Sequence, residues 1–466
     1  MGGLMAVRRR VWAHPNYQKF LLLTCLSGMF ATSFTATIMA VSIRTVATDL
    51  GSTPGVVAWV LTAPGLAAAV AMPILGRLGD IRGHRRVYMI GFGIAIGFNV
   101  ATALAWNATS LIVVRTIAQL AGTATVPASF AMLFKQFPPE ERMKASAWSS
   151  GVLSGASVTG LAIGGPLIDW AGWRPLFYVQ ALLCAVAFVA AIFVLQPDVV
   201  HREISIDKAG AAALAVTAFA LTFGVNRAAA WNMLHPVVLA MVVLFPLAAW
   251  SLVLIERKAR DPVLPVQMVK MRNVRVVTAS SFLVGIAWMG NFLVTPLLLQ
   301  TIFGLSATKT SFITVVRTLS ISLSAPIANY MGSRFGVRRV ALISGSIVMC
   351  AIGGLAAGAA SKSLIVVIAS LFATGASWGH FQPSLIAMIG NSVDSINLGL
   401  ATSLQQTANS IGSVTGSGLM TALAADAVTR GPYVTSYLIA AVVGAIGVLA
   451  LLGSRSRTAE QFEFAA

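Results

Sequence analysis

GRLGDIRGHRR, residues Gly76 to Arg86, is a short basic stretch between two long apolar runs, and it has a counterpart further along the chain. NYMGSRFGVRR, Asn329 to Arg339, can be laid over it so that Gly79 falls on Gly332, Gly83 on Gly336, Arg85 on Arg338 and Arg86 on Arg339. Four identities in eleven positions are weak alone. Each stretch, however, lies between the second and third apolar run of a block of six. The offset of 253 residues, from 76 to 329, falls to about 200 once two extra runs between the blocks are removed. Position and sequence agree on two six-span halves joined by an inserted pair, a plan found in many transporters.

The composition says what surrounds those runs. The chain has 466 residues, 57% hydrophobic and only 10% charged, with a mean hydropathy of +0.84; soluble domains carry about 25% charged residues. Spanning a hydrocarbon layer of roughly 30 Å takes about 20 apolar residues per helix, and only helices or closed barrels satisfy their backbone there. The runs are long and do not alternate, so helices are expected. A net charge of +18 would suggest nucleic acid if it formed one face of a soluble domain. Instead the basic residues sit in short clusters between apolar runs, so the expected partner is a lipid bilayer and not nucleic acid.

Apolar runs fall near residues 20 to 46, 55 to 75, 87 to 106, 109 to 134, 145 to 168 and 175 to 195. An added pair follows near 208 to 226 and 235 to 255. A second six lie near 274 to 302, 308 to 331, 338 to 360, 363 to 389, 397 to 424 and 433 to 453. The expected fold class is an all-α polytopic membrane protein of fourteen spans. Its expected domains are a six-helix bundle at 1–200, an inserted hairpin with linkers at 201–262 and a second six-helix bundle at 263–466. With the N-terminus inside, the even-numbered turns hold Arg77, Arg82, Arg85, Arg86, Lys135, Arg142, Lys144, Arg202, Arg257, Lys258, Arg260, Lys270, Arg272, Arg334, Arg338 and Arg339, and the tail holds Arg455 and Arg457. The other side receives Arg174, Arg227, Lys309, Lys362 and Arg430. Both termini are therefore expected to be cytoplasmic. The first run, about 27 residues after VRRRVWAHPNYQK, exceeds a signal-peptide core and reads as a permanent span. Cys25, Cys184 and Cys350 each sit within an apolar run, so neither a disulfide framework nor a metal site is readable, and no cofactor is expected.

At these residues the chain resembles the major facilitator superfamily, and within it the fourteen-span drug:proton antiporters. GRLGDIRGHRR is similar to the superfamily's signature between spans 2 and 3, with Gly76, Leu78, Asp80, Gly83 and Arg85 at matching places and Ile81 where a basic residue is usual. The resemblance implies that Asp80 pairs with arginine and a helix end as a conformational latch. GASVTGLAIGGPLIDWAGWR resembles the antiporters' glycine-rich motif through Gly155, Gly160, Gly164 and Gly165, with Leu161 where proline is usual. Small residues at such steps let a second helix approach closely. REISIDKAGAAALAVTAFALTFGVNRAAAWN and IERKARDPVLPVQMVKMRN resemble the inserted hairpin and its exit, and LLQTIFGLS the end of span 9. In the antiporters span 1 carries D-x-T-x-x-x-x-A-x-P; here Thr35 stands at the acid and Arg44 at the proline.

The charges inside the runs sharpen that departure. All fourteen acids fall at run ends or between runs. Arg115, a third of the way into span 4, matches the family's span 4 arginine, with Gln119 one place late; Arg317 lies half-way through span 10. Each costs about 2.5 to 3.5 kcal/mol at a helix centre and is expected to face a wet cavity or a partner. Arg44 is nearer an end and can snorkel, with Asp49 five residues on. His380 is the span residue able to titrate near neutral pH, the alternative being a hydrogen-bonded packing histidine. Trp378 and Gln382 beside it, Trp288, Asn291 and Gln300 of span 9, and Gln405, Gln406 and Asn409 of span 13 form a candidate aromatic and amide lining, or equally interhelical glue.

The function expected is secondary transport by alternating access, with a small molecule and possibly protons as partners and a monomer as the working unit. No G-x-x-x-x-G-K-[ST] stretch is present for a nucleotide motor. By resemblance the direction is export of drugs or lipophilic metabolites from a bacterial cell, through its inner membrane, and the chain is not an enzyme. Arginines without a central acid argue against cationic substrates and for neutral, zwitterionic or anionic amphiphiles. The alternatives are a facilitator or uptake carrier for an organic anion and, more remotely, a membrane enzyme or scaffold, for which one lone histidine is a poor set.

Overall fold

The computed structural model describes residues 2–35, 37–136, 139–196, 207–231, 234–259, 266–393, 398–424 and 426–454, and among them every regular element is a helix. The first compact unit, Met1–Ile206, holds α1 (Gly2–Trp12), α2 (Tyr17–Ser33), α3 (Ile38–Asp49), α4 (Pro54–Val57), α5 (Trp59–Arg82), α6 (His84–Ala103), α7 (Ala108–Thr123), α8 (Thr125–Gln136), α9 (Pro139–Ala171) and α10 (Arg174–Val194). The second, Asp207–Ala466, holds α11 (Lys208–Ala230), α12 (Pro236–Lys258), α13 (Arg272–Thr301), α14 (Ala307–Phe335), α15 (Val337–Ser361), α16 (Leu364–Gly390), α17 (Leu398–Ala424) and α18 (Arg430–Ala450). Eleven stretches among the described residues are long and apolar enough to cross a membrane. The count of fourteen is not reached on that measure. Three of the expected spans are not among the eleven: α5, α14, which carries Lys309, Arg317 and a series of serines and threonines, and α17.

The stretch that opened the sequence reading is not a loop. Helix α5 continues through Gly76, Asp80 and Arg82; one residue, Gly83 at φ 95° and ψ 128°, turns the chain, and α6 begins at His84. In the second half α14 runs through Phe335, Gly336 turns at φ 83° and ψ 134°, and α15 begins at Val337. L residues are strained at such φ values, and glycine is not. A second correspondence lies at the other end of these helices. Arg174, opening α10, donates to the Ala105 carbonyl just past α6 at 3.3 Å; Arg430, opening α18, donates to Ala360 in the last turn of α15 at 3.1 Å. The two halves thus share a turn and a tie.

The first span is interrupted. Helix α2 ends at Ser33 and α3 begins at Ile38, with Phe34, Thr35 and Thr37 in the break. Helix α9 packs across that break through its glycines. A Cβ on Gly160 would run into the Phe34 carbonyl oxygen and one on Gly164 into the Ile38 side chain, whereas Gly155 faces open space. Thr37 closes the contact by donating to the Ser157 carbonyl at 3.0 Å. Gly165 is also buried. Beneath the break, Leu21, Cys25, Tyr88, Phe92, Leu133 and Cys184 form a buried cluster. Of the three cysteines, Cys25 and Cys184 are buried and Cys350 is exposed on α15.

Helix α11 of the inserted pair is fastened to α17 inside the membrane-spanning region. Asn226 donates to the Gly418 carbonyl at 2.6 Å, and the Thr222 and Thr415 hydroxyls lie 3.3 Å apart. The first half of the insert therefore belongs to the second unit, while much of α12 stays exposed, including Leu247 and Trp250.

The glycine packing of α9 yields a contrast within one motif. Gly160→Ala is expected to lower stability by about 1 to 3 kcal/mol through overpacking, while Gly155→Ala is expected to be neutral or slightly stabilising, since alanine favours helix by up to about 1 kcal/mol. Thermal unfolding of the purified protein in detergent distinguishes them.

Candidate functional site

Each unit buries one arginine within a long apolar helix, Arg115 in the first and Arg317 in the second, and the partners described for each are neutral groups. Arg115 of α7 is 3% exposed. It donates through Nη1 to Asn99 Oδ1 at 3.2 Å and Gln180 Oε1 at 3.0 Å, and through Nη2 to Thr35 Oγ1 at 2.7 Å. The Thr35 hydroxyl donates in turn to Gln180 Oε1 at 2.8 Å, and Gln180 Nε2 donates to the Ala31 and Thr32 carbonyls at 3.3 and 3.4 Å. Those carbonyls lie on the turn of α2 that leads into the helix break. The Phe177 ring lies 5.1 Å from the guanidinium carbon. Residues from α6, α10 and the break after α2 thus converge on one cation of α7, and among the described residues no carboxylate touches it.

In the second unit Arg317 of α14 is 1% exposed. Its Nη1 donates to Asn291 Oδ1 at 3.2 Å, and its guanidinium carbon lies 3.9 Å from the Phe292 ring centre and 5.6 Å from that of Trp288. Its Nε is buried with no acceptor among the described residues. Asn291 is held from behind, donating to Ala287 and Trp288 carbonyls at 3.0 and 2.7 Å. One turn on, Thr295 accepts from the Tyr437 hydroxyl of α18 at 3.0 Å. Trp288 stacks on Trp378 of α16 at 3.9 Å and 8° between planes. Gly375 lets α16 approach so closely that a Cβ there would collide with the Arg317 carbonyl. The result is a cation under two aromatic faces whose buried Nε finds no acceptor among the described residues, a setting suited to the flat or anionic part of an amphiphile.

His380 lies on the same helix as Trp378. Its Nδ1 is 2.8 Å from the Ala376 carbonyl, and its Nε2 is buried without a partner among the described residues, as is Gln382 Oε1. Other candidates go elsewhere. Gln405 Nε2 donates to Ser281 Oγ at 2.9 Å and Asn409 to the Ser281 carbonyl at 3.2 Å, so both fasten α17 to α13 about ten residues before Asn291. Gln406 is exposed, and Gln300 is buried in the last turn of α13, about 13 Å along the axis from Asn291. Gln119 is half-buried and is not among the groups bonded to Arg115. Arg44 is exposed, and the acid five residues on is engaged elsewhere: Asp49 forms an ion pair with Arg174 and accepts from Trp173 Nε1 at 2.9 Å. Gly83 and Arg85 flank the α5–α6 turn, with His84 packed over Gly79. The side chain of Asp80 lies outside the described residues. Sequence reading passed over Asn99, Gln180, Phe292 and Tyr437. The first two carried a signal, a single amide in an otherwise apolar run.

A family model described as Major Facilitator Superfamily matches residues 23–260 and 277–465. The chain belongs to that superfamily. It is a multi-pass membrane transport protein and not an enzyme. Its fold is similar to that of a D-xylose-proton symporter (TM-score 0.69, 12% identity, 93% of this chain and 97% of that one). It is also similar to the nucleoside transporter NupG (TM-score 0.66, 14% identity, 93% and 99%). In sequence it is 27% identical over 329 residues to "Multidrug resistance protein 3" of Bacillus subtilis, covering 70% of this chain but 64% of that protein. Over 410 residues it is 27% identical to "Multidrug transporter protein MdtP" of the same organism, covering 86% and 74%. Over 411 residues it is 25% identical to "Tetracenomycin C resistance and export protein" of Streptomyces glaucescens, covering 87% and 76%. The superfamily resemblance read from GRLGDIRGHRR is thereby borne out.

Gln180 ties the Arg115 group to both α2 carbonyls, so Gln180→Leu is expected to cost more than Asn99→Leu. The loss is about 1 to 3 kcal/mol, because it strands a buried guanidinium and the Thr35 hydroxyl together. Unfolding of the two variants side by side in the same detergent measures the order.

Proposed function

We propose that this protein exports small amphiphilic molecules, neutral, zwitterionic or anionic, by alternating access across a bacterial cytoplasmic membrane. The direction is supported by relatives whose names are multidrug resistance and tetracenomycin C export. The observation that carries the charge preference is that Arg115 and Arg317 are buried among neutral partners. A substrate cation about 8 Å from either would meet a repulsion of about 2 kcal/mol at an effective dielectric of about 20, a factor of about 30 in affinity. An anion would gain by a similar amount. In this reading Arg317, Trp288 and Trp378 hold the substrate, while Thr35, Arg115 and Gln180 shape the broken first span.

The reading carries finer parts. Fourteen spans and cytoplasmic termini are the arrangement that the distribution of apolar runs and basic residues supports, and the working unit in this reading is a monomer. Asp80 with Gly76, Gly83 and Arg85 serves as the latch between conformations. Proton coupling, if it operates, does not use the first-span position occupied by Thr35, and His380, two residues from Trp378 on α16, is the candidate carrier. The second reading, a facilitator or uptake carrier for an organic anion, is favoured by the same neutral surroundings of Arg115, because it needs no proton carrier.

Proteoliposomes with imposed pH and voltage gradients separate these. The anionic dye 8-anilinonaphthalene-1-sulfonate is expected to move at least tenfold faster than methyl viologen, a permanent dication; the reverse order would sink the charge assignment. Arg317→Gln is expected to raise KM for the anion about tenfold or more while Arg317→Lys partly restores it. Uphill movement driven by a pH gradient supports antiport over facilitation, and its persistence in His380→Ala would remove the histidine from coupling.

A further inference from the structure

Helices α5, α6 and α7 enclose a groove of about 430 Å³ on the first unit, within the range of built ligand sites. Its walls are aliphatic, from Leu75 and Leu78 of α5, Ile90 and Ile94 of α6 and Ile117 and Leu120 of α7. Ile90, Ile94 and Leu120 are 57%, 41% and 36% exposed, so the groove opens to the outside of the unit. Its floor is where α6 and α7 come into backbone contact: a Cβ on Gly91 would lie 2.7 Å from the Ala121 carbonyl oxygen. The polar residues among its described lining are Arg82 and Arg86, on either side of the Gly83 turn. Both are exposed, and neither forms an ion pair with any described residue.

We propose that this groove binds an anionic phospholipid, an acyl chain lying along the aliphatic walls and the phosphate seated between Arg82 and Arg86. The separation of the parts fits that molecule: from Arg86 to Ile94 is eight residues, about 12 Å of helix, with charge at the helix ends and hydrocarbon below. Guanidinium forks match phosphate oxygens two at a time. The basic turn belongs, by the distribution of arginine and lysine, to the cytoplasmic leaflet, where anionic lipids give a negative surface potential. A transport substrate is a poorer occupant, since the described lining holds no amide or hydroxyl side chain to orient one.

The corresponding turn of the second unit lacks the feature. Phe335 stands at the place of Arg82 when the repeats are laid together, Arg338 donates to the Leu452 carbonyl at 2.7 Å, and Arg334 donates to the Tyr330 hydroxyl at 2.6 Å. Arg339, at the place of Arg86, is exposed, so what the second turn lacks is the partner across it: the pair of guanidiniums without an ion pair among the described residues is particular to the first turn.

The full chain, delipidated in detergent, is titrated with phosphatidylglycerol, with phosphatidylcholine and with inorganic phosphate, reading thermal unfolding and bound lipid by native mass spectrometry. Phosphatidylglycerol is expected to bind at least tenfold more tightly than phosphatidylcholine and to raise the unfolding temperature. The double variant Arg82→Gln with Arg86→Gln is expected to abolish that preference. Ile90→Trp, which fills the groove from its exposed side and leaves both arginines in place, is expected to weaken phosphatidylglycerol binding about tenfold. Equal binding of the two lipids, or wild-type preference in both variants, overturns the proposal. So does inorganic phosphate reproducing the full shift, which marks a free-anion site, and so does a dimer in detergent that Ile90→Trp dissolves.

Discussion

A guanidinium placed in hydrocarbon has five donors to satisfy and a charge that water no longer screens, and the structure is arranged around that constraint twice. At Arg115 the solution is a set of neutral acceptors from α6, α10 and the break in the first span, with Gln180 as the common member: it accepts from the cation and the threonine and ties both to carbonyls of α2. At Arg317 the solution is one amide and two aromatic faces. Among the described residues neither uses an acid. The charge of each site thus stays positive, and the surrounding helices supply dipoles and ring quadrupoles in place of a counter-ion.

This arrangement gives the interrupted first span a purpose. A break in a membrane helix frees backbone groups that lipid cannot satisfy, so it survives only where neighbours occupy them. Here α9 brings glycines against Phe34 and Ile38, Thr37 bonds to α9, and Gln180 bonds to the last turns of α2. Thr35 sits within the break and on the Arg115 network at once. A carboxylate at that position would neutralise the cation, and threonine leaves it charged. The charge preference proposed for the substrate and the doubt about a proton carrier in the first span have the same origin.

The legibility of the site followed chemical rarity. Arg115 and Arg317 stood out because charge in an apolar run is rare, and both proved to be the centres of buried networks. Trp288, Trp378 and Asn291 were found with them. Gln405 and Asn409 looked alike in sequence but fasten α13 to α17, because a one-dimensional pattern does not tell which neighbour a helix face meets. Asn99 and Gln180 were passed over for the same reason: their importance lies in pointing at Arg115 from other helices.

What the sequence by itself determined is the class and the plan. Hydropathy dictates membrane-spanning helices, because hydrocarbon tolerates no other backbone here, and the paired glycine turns at Gly83 and Gly336 dictate the repeat, because both turns need a positive φ. Tertiary structure alone decided the rest. It broke the first span at Thr35, pulled Asp49 away to Arg174, fastened α11 to α17 and chose neutral partners for both arginines. Those outcomes depend on which residues from distant helices meet, and in a bilayer that is set by close packing and interhelical hydrogen bonds rather than by hydropathy, which is the same for every lipid-facing or buried apolar side chain.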